Sequence, residues 1–173
     1  MGLIHIYCGN GKGKTTAAIG LAVRAAGAGM RVRFVQLLKG SDTSELNSIK
    51  FIPNISVDRC DEDYGFTFTM TDEDKHKITA CHNRILTDAI SLAENGEIDM
   101  LIVDEFNAAC TYNLVDKALA DKLVLDKPDA LELILTGRCP DECYVEAADY
   151  VSEIQPLKHP FKAGVTARKG IEY

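Results

Sequence analysis

An apolar run, Leu3 to Cys8, passes directly into GNGKGKTT, Gly9 to Thr16, and then into an alanine-rich stretch that stops at Gly29. No other feature limits the fold as tightly. A short apolar run bounded by glycine predicts a buried strand. Lys14 to Ala28, rich in alanine and closed by glycine, predicts a helix with a glycine stop. Between them, Gly9, Gly11 and Gly13 let the backbone turn and aim its N–H groups at a ligand. The helix N-terminus behind them adds partial positive charge. Lys14 is placed to reach outer phosphates, and the Thr15 hydroxyl suits a Mg2+ ligand. The pattern G-x-x-x-x-G-K-[ST] would demand glycine at position 8, where the chain has Cys8. As the last strand residue, Cys8 precedes the turn, and its side chain need not enter the cradle. A dinucleotide fingerprint, G-x-G-x-x-G, fails because position 14 is Lys14. A plain glycine turn would leave the Lys14–Thr15 pair at the helix start without a purpose. The stretch reads as a phosphate-binding loop.

The rest of the chain continues the alternation. Arg31 to Leu38 (RVRFVQLL) predicts a second strand, Gly40 to Ser48 a polar loop, and Ile55 to Val57 a short third strand. Arg59 to Thr71, with acids and glycine among aromatics, predicts a long functional loop. Thr71 to Asp74 resembles a capping box, and Ile78, Cys81, Ile85 and Leu92 then recur on one face of a helix that stops near Gly96. DMLIVDE, Asp99 to Glu105, is a buried strand that delivers two carboxylates at its carboxyl end. LELILTGR, Leu131 to Arg138, repeats that design with Thr136, Gly137 and Arg138 at the tip; Tyr150 to Ile154 is a last short strand. Strands alternating with helices predict an α/β fold of three layers, a mainly parallel sheet with helices on both faces. Ligands of such sheets bind at the carboxyl ends of the strands.

At 173 residues the chain is expected to form one domain, 1–173, with a core that needs no staple. The net charge of −7 argues against a nucleic-acid binder that relies on bulk basicity. Uncharged runs such as Thr15 to Val23 fall well short of the roughly 20 residues a membrane span needs. The start has no basic region before its apolar run, so no signal peptide is expected. The six cysteines lack C-x-x-C spacing and several lie in apolar runs, so reduced thiols in a cytoplasmic protein are expected. A zinc site from Cys139, Cys143 and the distant His159 is the lesser alternative.

Asp104 and Glu105 fit the loop. A carboxylate ending an apolar strand is the usual partner of the loop Ser or Thr in holding magnesium beside a nucleoside triphosphate. A hydrolase would need a residue to place water, and a kinase would need a base; Glu105 suits either, and the residues alone leave that open.

Six segments taken together resemble one family, the ATP:corrinoid adenosyltransferases of the CobA/CobO/BtuR type. They are GNGKGKTTAAIGLAVRAAG (Gly9 to Gly27), VQLLKG (Val35 to Gly40), GFTF (Gly65 to Phe68), VDE (Val103 to Glu105), LTGR (Leu135 to Arg138) and KHPFKAGVTARKGIEY (Lys158 to Tyr173). The likeness runs from about Ile4 to Tyr173 and includes the missing first glycine at Cys8. It implies a RecA-like P-loop fold and transfer of the 5′-deoxyadenosyl group of ATP to Co(I) of a corrinoid, with release of triphosphate. It makes Gly9, Asn10, Gly11, Lys12, Gly13, Lys14, Thr15 and Thr16 the triphosphate site. Thr15 and Glu105, with Asp104 close by, become the Mg2+ ligands, with Mn2+ as a substitute. Arg24 and Arg138 match arginines near the triphosphate. Lys14, Thr15, Glu105 and Arg138 are therefore the expected catalytic residues.

Phe66 and Phe68 match aromatic residues that lie under the corrin and displace its lower ligand; relatives typically carry tryptophan where this chain has Phe68. The resemblance further implies a flavodoxin-like electron donor, a homodimer, and neither nucleic-acid nor membrane partners. Many relatives carry an extra arm before the first strand that helps close the site. Here the basic tail (Lys158, Lys162, Arg168, Lys169) is the candidate cover, with a solvated tail as its alternative. Two other functions remain as rivals: a small P-loop kinase or ATPase acting at the γ-phosphate, and a non-enzymatic nucleotide-gated corrinoid carrier.

Overall fold

The computed structural model describes residues 1–39, 43–62, 65, 67, 69–160 and 164–172. Along them run β1 (Ile4–Cys8), α1 (Lys14–Gly27), β2 (Val32–Gln36), α2 (Ser44–Ile49), β3 (Ile55–Arg59) and α3 (Asp72–Glu94). There follow β4 (Met100–Asp104), α4 (Phe106–Thr111), α5 (Lys117–Leu125), β5 (Glu132–Thr136), α6 (Glu142–Ala147) and β6 (Tyr150–Glu153). The strands form one sheet in the order β3-β2-β4-β5-β1-β6, and every pairing is parallel. β5 thus lies between β1, which feeds the glycine loop, and β4, which carries Asp104.

Side-chain alternation along the strands builds two cores. Leu101, Val103, Leu133, Leu135, Ile4 and Ile6 pack with residues of α3, α4, α5 and α6. Met100, Ile102, Ile134, Val32 and Phe34 turn the other way, onto Ala18, Ala22, Ala25 and Ala26 of α1. Successive strand residues point to opposite faces, so a strand covered on both sides must be apolar throughout. That is why β4 is buried at all five positions. The expected three-layer α/β architecture is present, with helices on both faces.

The helix ends follow the sequence signals. Beyond α1, Gly29 takes φ 88° and its N–H donates to the Ala26 carbonyl, a glycine stop. At the start of α3, Thr71 Oγ1 accepts from the Asp74 N–H at 3.1 Å, and an Asp74 oxygen accepts from the Thr71 N–H at 3.0 Å. The capping box is real.

Three expectations are corrected. The polar stretch predicted as a loop over 40–48 contains α2 from Ser44 onward. The link from Glu105 to Leu131 holds two short helices that the sequence reading did not predict, α4 and α5. The thiols are not all reduced: Cys60 and Cys81 form a disulfide, while Cys8, Cys110, Cys139 and Cys143 are free. Packing of α3 beside the end of β3 leaves the Cys60 and Cys81 Cα atoms 6.2 Å apart, within disulfide reach. No zinc cluster forms either: among the described residues, no group of three His, Cys, Asp or Glu is placed to hold a metal.

Candidate active site

Parallel pairing brings the strand ends to one edge of the sheet. Tyr7 aligns with Thr136, Cys8 with Glu153, and Gln36 with Asp104. The glycine loop leaves β1 at this edge and is held between the tips of β5 and β6. The Gly9 N–H donates to the Arg138 carbonyl at 3.2 Å, and the Gly11 N–H donates to the Ile154 carbonyl at 2.7 Å. A Cβ on Gly9 would lie 2.5 Å from the Ile154 oxygen, and one on Gly11 would lie 2.7 Å from it. Gly13 adopts φ 122° at the N-cap of α1. These glycines are required by contact and by conformation.

Lys14 folds back over the loop, its Nζ donating to the Gly11 carbonyl at 2.8 Å. Burial pushes the Lys14 ammonium below the usual lysine range, and the Arg138 charge adds to this while Glu105 and Asp104 oppose it. Arg138 is exposed at the β5 tip, yet its charge acts on both Lys14 and Glu105.

Asp104 is the centre of the site. It is wholly buried at the end of β4. Its Oδ1 accepts from Thr15 Oγ1 at 2.9 Å and from Thr136 Oγ1 at 2.6 Å. Its Oδ2 accepts from Lys39 Nζ at 2.7 Å. A buried carboxylate costs several kcal/mol unless charge and hydrogen bonds compensate it, and here both do. Thr136 uses its other capacity to accept from the Glu105 N–H at 2.9 Å. Glu105 itself is held in the left-handed region, φ 61° and ψ 20°, before α4. For a residue with a Cβ that conformation costs about 1–2 kcal/mol, and such strain concentrates at functional sites. Burial and the adjacent Asp104 charge push the Glu105 carboxyl up, opposed by Lys39, Lys14 and Arg138.

Beside this group opens a cleft of about 540 Å³, lined by Lys12, Thr15, Thr16, Lys39, Glu45 and Ile171 among others. That volume suits a nucleotide-sized ligand. The chain's last turn closes one side, with Lys12 Nζ donating to the Ile171 carbonyl at 2.6 Å and Arg168 paired to Glu172. Of the expected tail residues, Lys162 lies outside the described ones.

The oxygen donors fit a small hard cation. Thr15, Asp104 and Glu105 offer a hydroxyl and two carboxylates, and the Lys39 ammonium already sits against Thr15 Oγ1 and Asp104 Oδ2. Magnesium is typically held by one or two carboxylates, with substrate phosphate and water completing the shell.

Gly9 to Thr16, Asp104, Glu105 and Arg138 are thus neighbours, although Asn10, Lys12 and Thr16 are exposed at the loop. Arg24 stands apart. It is exposed ten residues beyond Lys14 on α1, about 15 Å along an ideal helix. Its charge is felt by the Tyr7 phenol, whose pKa burial raises and Arg24 lowers. Phe66 and Phe68 lie outside the described residues. The sequence reading missed Lys39 and Thr136 as site residues. Both stand within the quoted VQLLKG and LTGR segments, at or just beyond strand ends, which was the available signal.

Comparison with known proteins identifies the family. The family model for ATP:corrinoid adenosyltransferase BtuR/CobO/CobP matches residues 1–173. The corrinoid adenosyltransferase of Escherichia coli K12 is 32% identical over 178 residues, covering 99% of this chain and 86% of that protein. Its Pseudomonas aeruginosa counterpart is 32% identical over 176 residues, covering 99% and 84%. The corrinoid adenosyltransferase CobA of Salmonella typhimurium is 31% identical over 178 residues, covering 99% and 86%. A glycine loop tied by Thr15 to a buried strand-end aspartate, together with likeness along the whole chain, means that this protein belongs to the ATP:corrinoid adenosyltransferase family.

Proposed function

We propose that the Gly9–Thr16 loop grips the triphosphate of ATP so that the ribose C5′ atom, and no phosphorus, meets the cobalt of a reduced corrinoid. Family membership gives the overall reaction, adenosylation of a corrinoid by ATP. The observation that supports the residue assignment is the 2.9 Å bond from Thr15 to the buried Asp104 beside the cleft.

In this reading the Co(I) substrate supplies the electron pair of the new Co–C5′ bond, and the C5′–O pair departs on the α-phosphate end of triphosphate. Negative charge grows on that leaving group. The N–H groups of Gly9 and Gly11, expected to face the ligand, are instead donated to the Arg138 and Ile154 carbonyls. The other loop N–H groups and the N-terminus of α1 are fixed before reaction and meet this charge without reorganising. Lys14 exchanges the Gly11 carbonyl for a phosphate oxygen, and its partial burial strengthens the charged bond. Arg138, exposed at the β5 tip, is assigned as a second cation for the triphosphate. Thr15, Asp104 and Glu105 would hold Mg2+, or Mn2+ in its place, which neutralises phosphate charge when bound. Glu105 has no water to activate, because the nucleophile belongs to the corrinoid.

The corrin is assigned to the side of the 61–71 segment. There a small recess is lined by Leu38, Cys60, Gly65, Met70, Ile78 and His82. A flavodoxin-like electron donor and a homodimer belong to the same proposal and rest on the family resemblance. The use of ATP supports action in the cytoplasm. No helix among the described residues is long and apolar enough to cross a membrane.

Product analysis tests the proposal. Protein, Mg-ATP and chemically reduced cobalamin, incubated in the dark, should yield triphosphate and adenosylcobalamin. ADP would instead indicate transfer at the γ-phosphate. Lys14→Ala should lower the rate at least roughly a hundredfold; near-wild-type turnover would take the loop out of the mechanism.

A further inference from the structure

Lys39 does more than neutralise a buried acid. Its Nζ stands 2.7 Å from Asp104 Oδ2 and 3.5 Å from Thr15 Oγ1, touching two of the three side chains that the proposed function gives to the divalent cation. The contact is built. Lys39 follows Leu38, whose backbone is in the left-handed region at φ 59°. The Leu38 N–H is anchored by donation to Nε2 of the fully buried His82 at 3.3 Å. A bulky residue rarely adopts that conformation, so the turn that points Lys39 back at Asp104 is enforced by its surroundings. Lys39 also lines the cleft. Its side chain is about a quarter exposed, against none for Asp104, so the ammonium has room to swing while the carboxylate does not.

We propose that Lys39 is a gating cation that makes the site select a metal–polyphosphate complex over the free metal ion. The proposal rests on the assignment of Thr15 and Asp104 to the metal. An ammonium and a divalent cation repel strongly at contact distance when water is scarce, so a divalent ion takes Asp104 only if Lys39 leaves. Leaving is unfavourable for a lone metal ion, because the ammonium would lose its carboxylate and gain only water. It is favourable when polyphosphate enters the cleft with the metal, since phosphate oxygens then receive the displaced Nζ. Metal and polyphosphate therefore bind cooperatively, and Lys39 carries the coupling between them. Lys39 is a positioning residue by this account. It acts before any bond to C5′ breaks.

The test measures metal binding without turnover. Mn2+ is the probe, its free form followed by electron paramagnetic resonance at fixed pH and ionic strength, with and without inorganic tripolyphosphate. Wild-type protein should bind Mn2+ weakly alone and at least tenfold more tightly with tripolyphosphate. Lys39→Gln keeps a donor for Asp104 but removes the charge. It should bind Mn2+ alone about tenfold more tightly than wild type, and tripolyphosphate should then add less than threefold. Lys39→Arg keeps the charge and should resemble wild type. Lys122→Gln removes a surface charge that pairs with Glu94 on α3, and should change Mn2+ binding alone by less than twofold.

Unchanged or weaker Mn2+ binding by Lys39→Gln, or equal tightening by Lys122→Gln or Lys39→Arg, overturns the gating role. The metal assignment fails in a different way. If wild-type protein binds Mn2+ with tripolyphosphate no better than Asp104→Asn does, the site itself is misassigned and the gating role falls with it. Thermal unfolding of each variant confirms that the compared proteins are folded.

Discussion

A methyl group added at Gly11 would sit 2.7 Å from the Ile154 carbonyl oxygen and 2.8 Å from Ile154 Cγ2, closer than carbon atoms tolerate. The same addition at Gly13 meets nothing within 4 Å, but there φ is 122°, where a Cβ strains the backbone. At Gly20, inside α1, neither obstacle exists. Three alanine variants therefore separate three physical causes. Gly11→Ala should lose about 1–3 kcal/mol from overpacking and also weaken ATP binding, because the β6 contact that shapes the loop must shift. Gly13→Ala should lose about 1–2 kcal/mol from backbone strain alone. Gly20→Ala should gain about 0.5–1 kcal/mol through better helix propensity and leave ATP binding intact. Urea unfolding and calorimetric ATP titration measure both quantities, and a destabilised Gly20→Ala would show an unseen neighbour at that helix face.

Elements were legible where the cause is local. β1, the loop and α1 follow one another in the chain, so apolar run, glycines and alanine periodicity announce them. α2 and α4 span six residues each, too few to show a period. α3 was legible through its capping box and apolar stripe, yet His82 was not read as part of that stripe. It lies four residues after Ile78 on the same face and is fully buried. Its ring donates from Nδ1 to the Leu114 carbonyl at 2.8 Å and accepts at Nε2 from Leu38, which defines a neutral imidazole. Burial depresses its pKa below 6.5, with the bond to Leu114 acting in the opposite direction. The unfolded chain then binds the proton more readily than the folded one. Stability is full above pH about 6.5 and falls as pH drops below it, by at most about 1.4 kcal/mol per unit. His82→Gln, which does not titrate, should show a smaller loss between pH 7 and 5. Parallel curves for the two proteins would mean that His82 is not held neutral by its burial.

At the scale of the molecule, the site was legible in its types of residue and hidden in its geometry. Lys14, Thr15, Asp104 and Glu105 announce themselves by motif. That Asp104 would also receive Thr136 and Lys39 depends on β5 and β2 flanking β4, an order no local pattern encodes. The disulfide is hidden for the same reason. Cys60 and Cys81 are 21 residues apart and meet only because α3 packs near the end of β3. The bond closes a ring around the whole 61–71 segment, to which the corrin is assigned. Closing a ring of that length removes freedom from the unfolded chain worth about 3 kcal/mol. Co(I) is made with strong reductants, so the assay conditions themselves can open the bond. Reduction with dithiothreitol should lower the wild-type melting temperature by roughly 6–12 °C for a chain of this size. The Cys60→Ala, Cys81→Ala double variant should melt near the reduced wild type and be insensitive to reductant. A wild-type melting temperature indifferent to dithiothreitol, with two free thiols titrated at these positions, would mean that packing alone holds α3 against the end of β3.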